Sequence, residues 1–170
     1  AGNGVSHSEM FPLLNTDGDN PLDLFQIWLN LAPEDKTAEA HFTILWAEET
    51  PVVALMDAAG RTARVKVVAG EFDGQAAPPP PPDSWAARAD AHVAIWHLEW
   101  EPGAELTLPS ADSSVGRTLY VYAGSVTIDG RTLTSEGVVI DPAQPLTVTA
   151  GAESTRALLL QGRPIGAPVV

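Results

Sequence analysis

Apolar stretches of strand length recur along the chain. They occupy residues 25–31, 41–46, 52–56, 63–68, 91–100, 119–128, 138–140, 146–149 and 157–160. These stretches are rich in Val, Ile, Leu, Thr and aromatics, the residues that suit a pleated, half-buried surface. Turn chemistry separates them: Asp17-Gly18, Pro102-Gly103 and Asp129-Gly130. Asp129-Gly130, set between residues 126–128 and 131–133, predicts a two-residue hairpin whose central positions need positive φ. No helical period is sustained, and residues 33–40 offer a turn or two at most. Many short strands with frequent turns predict an all-β sandwich or barrel with less than about a tenth of the chain helical.

One segment interrupts the alternation. Residues 75–89 contain an unbroken run, Pro78 to Pro82, followed by Asp83-Ser84-Trp85. Five prolines have no N–H to give a sheet and run as stiff polyproline II. The segment therefore reads as a semi-rigid connector between two β-units rather than as a ligand for a proline-binding module. On this reading residues 1–74 form an N-terminal unit, 75–89 the linker and 90–170 the C-terminal unit. The first has too few strands to close a barrel alone.

Charge narrows the partners. Twenty-two acids against nine bases give a net charge of −13. Affinity for nucleic acid comes mainly from neutralising phosphates, so direct nucleic-acid binding is not expected. The absence of cysteine removes disulfides, thiolate metal sites and thiol nucleophiles. No stretch approaches the ~20 apolar residues that span a bilayer, and the expected location is cytoplasmic, away from membranes.

The candidate chemistry is small. His7-Ser8-Glu9 places an imidazole and a carboxylate at i and i+2, on one face if the backbone is extended. Divalent metals accept that mixed N/O pair. His92 and His97 differ by five and would face opposite sides of one strand; His97, in step with Ile95 and Val93, reads as a partly buried wall residue. His41 opens an apolar stretch without a carboxylate partner. Asp17, Asp19, Glu48, Glu49 and Asp57 read as solubilising turn or surface groups. No nucleophile elbow and no phosphate-binding glycine loop is present.

Five ordered blocks carry a family resemblance. Ala1-Gly2-Asn3-Gly4-Val5-Ser6-His7-Ser8-Glu9 resembles the stretch of pirins in which a glycine-rich turn leads into a His-Ser-Glu strand. Residues 24–31 (LFQIWLNL), 68–71 (VAGE), 117–124 (RTLYVYAG) and 160–168 (LQGRPIGAP) resemble later pirin blocks in the same order. The resemblance implies an all-β bicupin, two double-stranded β-helix (jelly-roll) units with the N-terminal cupin incomplete. It further implies a mononuclear iron held by three histidines and a glutamate. His7 and Glu9 would be the third histidine and the glutamate, Glu9 serving also as a catalytic base. The other two ligands would belong to a His-x-His strand upstream of residue 1, so iron binding by residues 1–170 is expected to be weak. The C-terminal cupin reads Ala104-Glu105-Leu106-Thr107 where a metal motif would fall, and Ala167 stands where the family has glutamate. Two functions follow from the resemblance: iron-dependent, quercetin-type flavonol dioxygenase activity, or a metal-responsive regulator that docks a protein partner, either a transcription cofactor or a modulator of a metabolic enzyme. The incomplete N-terminal unit is expected either to self-associate or to need the missing segment supplied in trans.

Overall fold

The computed structural model describes residues 2–168. Its strands are β1 (Val52–Met56), β2 (Thr62–Ala69), β3 (Glu71–Phe72), β4 (Gln75–Ala76), β5 (Ala94–Trp100), β6 (Glu105–Leu108), β7 (Gly116–Ala123), β8 (Val126–Ile128), β9 (Arg131–Leu133), β10 (Gly137–Val139), β11 (Leu146–Ala150) and β12 (Thr155–Gly162). A six-stranded sheet runs β1-β2-β5-β12-β7-β10 and a four-stranded sheet runs β6-β11-β8-β9; β3 and β4 pair separately. The pairings between these strands are antiparallel. Helical structure among the described residues is confined to three short 3-10 turns, Pro33–Asp35, Trp85–Ala87 and Ala89–Ala91.

Period-two alternation puts one face of each sheet into a shared core. Trp96, Leu98 and Trp100 of β5, Leu119 and Val121 of β7, and Ala157 and Leu159 of β12 meet Leu106 and Leu108 of β6, Val148 of β11 and Val126 of β8. The outward positions of the same strands carry His97, Glu99, Tyr120 and Arg156. The predicted hairpin is present: Ile128 pairs with Arg131, and Asp129 and Gly130 both take positive φ, 48° and 79°. The long apolar stretch 119–128 is split by Gly124, at φ 72°, into β7 and β8.

Three readings change. Strands β1 and β2, placed by sequence in a unit ending at residue 74, extend the sheet of the C-terminal strands: β2 pairs with β5 from Ala63 opposite Trp100 to Ala69 opposite Ile95. The boundary at 74 divides the chain but not the sheet. Residues 25–31 and 41–46 are not strands, because they have no ladder partner among the described residues. Asp57 is no solubilising residue. Its carboxylate, 5% exposed, accepts from the backbone N–H groups of Ala59, Arg61 and Glu105 and from Arg61 Nε. Those bonds, the Arg61 N–H first, hold it below the usual carboxylate range and tie the β1–β2 turn to β6.

The proline run is not part of any strand, and its C-terminal end is docked. Ser84 caps the turn that follows by accepting from Ala86 N–H at 3.2 Å. Trp85 Nε1 donates to the Arg163 carbonyl at 2.8 Å, and the guanidinium groups of Arg88 and Arg163 lie over the indole. Arg88 in turn donates to Glu34 and Asp35, both at 2.7 Å. The segment thus fastens residues 32–35 and 163 to one small core of Ala32, Trp85, Ala91 and Val93.

Candidate functional site

The His7–Glu9 stretch is anchored at its start. Gly2, at φ 51°, lies where a Cβ would run into the Ala38 carbonyl, and Asn3 N–H donates to that same oxygen at 2.9 Å. Ala1, which opens the resembling block, lies outside the described residues. His7 Nδ1 stands 3.8 Å from Glu9 Oε1, so the two side chains lie side by side, but the His-Ser-Glu stretch forms no strand here. The His7 ring tilts against Phe42 at 6.3 Å. Both side chains are about half exposed, at 49% and 62%.

Iron demands more donors than this. Among the described residues no group of three or more His, Cys, Asp or Glu side chains converges. His41 lines a separate hollow with Leu29, Leu31 and Pro81. His92 sits in the left-handed region, φ 48°, two residues before β5. The residues of this chain therefore do not by themselves fit a closed iron centre, and two donors leave most of a metal's coordination open.

His97 lies on the outer face of β5, where residues from the N-terminal stretch cover it. Its Nε2 is 2.7 Å from Tyr122 Oη, and Phe25 packs edge-on against Tyr122 at 4.7 Å. Asp23 closes the cover through an ion pair with Arg156 at 2.9 Å. Burial lowers the His97 pKa from 6.5 despite the opposing pull of Glu99, and burial raises that of Tyr122. Both are therefore neutral at pH 7. Nε2 shares its hydrogen bond with the tyrosine hydroxyl, and Glu99 Oε1 stands 3.8 Å from Nδ1 on the other side of the ring.

A pH dependence follows. The unfolded chain takes up a proton at His97 near pH 6.5, whereas the folded chain does so only at lower pH. This contribution to stability is present above pH 6.5 and is lost as pH falls toward the lowered folded value. Urea unfolding at pH 7.5 and about 5.5 is expected to show a smaller acid-side loss in His97→Gln than in the parent chain. An equal loss in both would remove His97 as the cause.

The sandwich interior is lined by apolar residues rather than metal ligands. β6, where the family resemblance would put a metal motif, turns Leu106 and Leu108 inward and Glu105 outward. Sequence reasoning missed the polar groups that are inside. Arg117 is 1% exposed and reaches over the Trp96 ring at 5.5 Å; Gln161 is its cross-strand neighbour. The available signal was the phase of Arg117, which shares the inward alternation of Leu119 and Val121.

Comparison with known proteins agrees with this architecture. Residues 95–170 match the Pirin C-terminal cupin domain. A Pirin-like protein of Caulobacter vibrioides is 28% identical over 98% of the chain. The chain belongs to the pirin family. A second relative of this pirin, named "Putative quercetin 2,3-dioxygenase" in Pseudomonas aeruginosa, is 30% identical over 100% of the chain. The pirin spans about half the length of these relatives, 52% and 56% respectively. The crystal structure of quercetin 2,3-dioxygenase from Acinetobacter baumannii superposes with a TM-score of 0.63 at 23% identity, covering 83% of this chain and 46% of that one. That likeness establishes the all-β cupin fold. No described helix is long and apolar enough to cross a membrane.

Proposed function

We propose that this pirin sequence carries one half of an iron site for oxygen-dependent ring cleavage of a quercetin-type flavonol. The supporting observation is the His7–Glu9 pair, an imidazole and a carboxylate 3.8 Å apart, in a chain similar along its whole length to a protein named for that reaction. His7 and Glu9 would contribute two of the iron's ligands, and bound iron would supply oxygen activation with open positions for substrate oxygens. Glu9, exposed and unpaired except by His7, can also accept a substrate hydroxyl proton. The remaining ligands would come from a His-x-His strand preceding His7, as the family resemblance implies.

The test compares residues 1–170 with a polypeptide extended by such a strand, each supplied with ferrous iron and oxygen. Loss of quercetin absorbance is expected from the extended protein, slower by about 100-fold or more in its Glu9→Gln variant and in residues 1–170 alone. An extended protein that holds iron but leaves quercetin unchanged would favour the metal-responsive regulator, with its acidic surface docking a protein partner.

A further inference from the structure

Residues 21–31 lie against the outer face of the six-stranded sheet, yet little fastens them to it. Among the described residues no backbone hydrogen bond joins this stretch to a strand. Asn30 accepts from Lys36 Nζ at 3.0 Å, which ties the stretch to its own continuation rather than to the sheet. Three contacts with the sheet remain. Asp23 pairs with Arg156 at 2.9 Å, both side chains about half exposed. Phe25 packs edge-on against Tyr122 at 4.7 Å and Tyr120 at 6.5 Å. Ile27 and Leu29 share an apolar hollow of about 350 Å³ with Ile95 and Leu160. A half-exposed ion pair contributes little, and a stretch without ladder bonds opens more easily than the strands beneath it. Neither buried core includes a residue of 21–31; Ala32, packed with Trp85, is the first anchored position after it.

His97 sits under this cover, and every neighbouring element presents a group to it. Glu99 of its own strand stands 3.8 Å from Nδ1, and Tyr122 of β7 lies 2.7 Å from Nε2. On β2, Lys66 is its register partner and Arg64 is that of Glu99. On β12, Leu158 is opposite His97 and Arg156 opposite Glu99; Tyr120 of β7 pairs with Leu158. The N-terminal stretch adds Asp23. Glu99 and Asp23 draw a proton toward the ring, Lys66 and Arg156 oppose it, and burial outweighs all four. The covered ring therefore binds a proton less tightly than a hydrated one would. A ligand preferred by one of two states shifts the population toward that state, and here the ligand is the proton.

We propose that residues 21–31 are an acid-released latch, docked over His97 while its ring is neutral and freed when the ring takes up a proton. Release carries Asp23 and Phe25 off the sheet, hydrates the imidazolium and uncovers an aromatic face of Tyr120 and Tyr122. The sandwich stays folded, since its core contains no latch residue. Release sets in below pH 6.5, the ordinary histidine value, because the docked value is the lowered one. Between the two values each unit of pH changes the ratio of released to docked chain by at most about tenfold.

Nitrogen-15 relaxation of the 170-residue chain, at about pH 7.5 and about pH 5.5, reports the latch, and the His97 ring resonances report its protonation. Amide order parameters of residues 23–29 are expected near about 0.8 at the higher pH and below about 0.6 at the lower. The loss should follow the His97 titration, with the amides of β5, β7 and β12 rigid throughout. His97→Gln, which takes up no proton, should keep the latch docked at about pH 5.5. Phe25→Ala alters only the cover: the latch should be loose at both pH values, and the His97 titration should move up toward 6.5, the reciprocal effect that linkage requires. Equal order at both pH values in the parent chain would overturn the proposal, as would an acid-side loss that persists in His97→Gln.

Discussion

Light scattering on the purified 170-residue chain is expected to show a mass above the 17.9 kDa monomer that rises with concentration. The cause is the surface of residues 10–46. Met10, Leu14 and Trp28 are each close to 90% exposed, and Phe42, Ile44 and Trp46 are each more than half exposed. Large apolar side chains exposed in this number over one stretch of chain favour association. The edge strand β1, which follows in the chain, pairs on one side only, with β2, and among the described residues its other row of backbone groups has no ladder partner. Covering one such side chain is worth about 1.5–3 kcal/mol, roughly one to two decades in association constant. The double variant Leu14→Ser, Trp28→Ser should therefore raise the concentration of half-association by about tenfold or more. The core of the sandwich should be untouched, since neither residue contributes to it. A chain that stays monomeric at high concentration would show that this surface drives no association.

The C-terminal sandwich was legible because its signals are local. Alternation along residues 94–100 and 155–162 and the Asp129-Gly130 turn each fix a strand or a hairpin without knowledge of the rest. Sheet membership was not legible. Nothing in residues 52–69 says that β2 will pair with β5 across the proline run rather than within its own half of the chain. The strands expected at 25–31 and 41–46 failed for the same reason. Apolar composition there is sufficient for a strand, but a strand exists only with a ladder partner. β6 was missed because Glu105-Leu106-Thr107-Leu108 is four residues long, with alternation too brief to stand out.

The site divides similarly. His7 and Glu9 lie 3.8 Å apart, as their i, i+2 spacing allows, although the strand expected to carry them does not form. The role of Asp57 was invisible because its donors come from Ala59, Arg61 and the distant Glu105. Arg117 and Gln161 belong to one row only through the β7–β12 register, which the sequence does not display.

The most direct measurement of the half-site is a calorimetric titration of the chain with ferrous iron under anaerobic conditions, repeated with zinc. Two protein ligands, one imidazole and one carboxylate, fall short of the three or four that hold such metals firmly. The expected result is weak binding that disappears in His7→Ala and in Glu9→Gln, because each variant removes half of the donors. Tight stoichiometric binding that survives His7→Ala would contradict the assignment and place the metal elsewhere in the molecule.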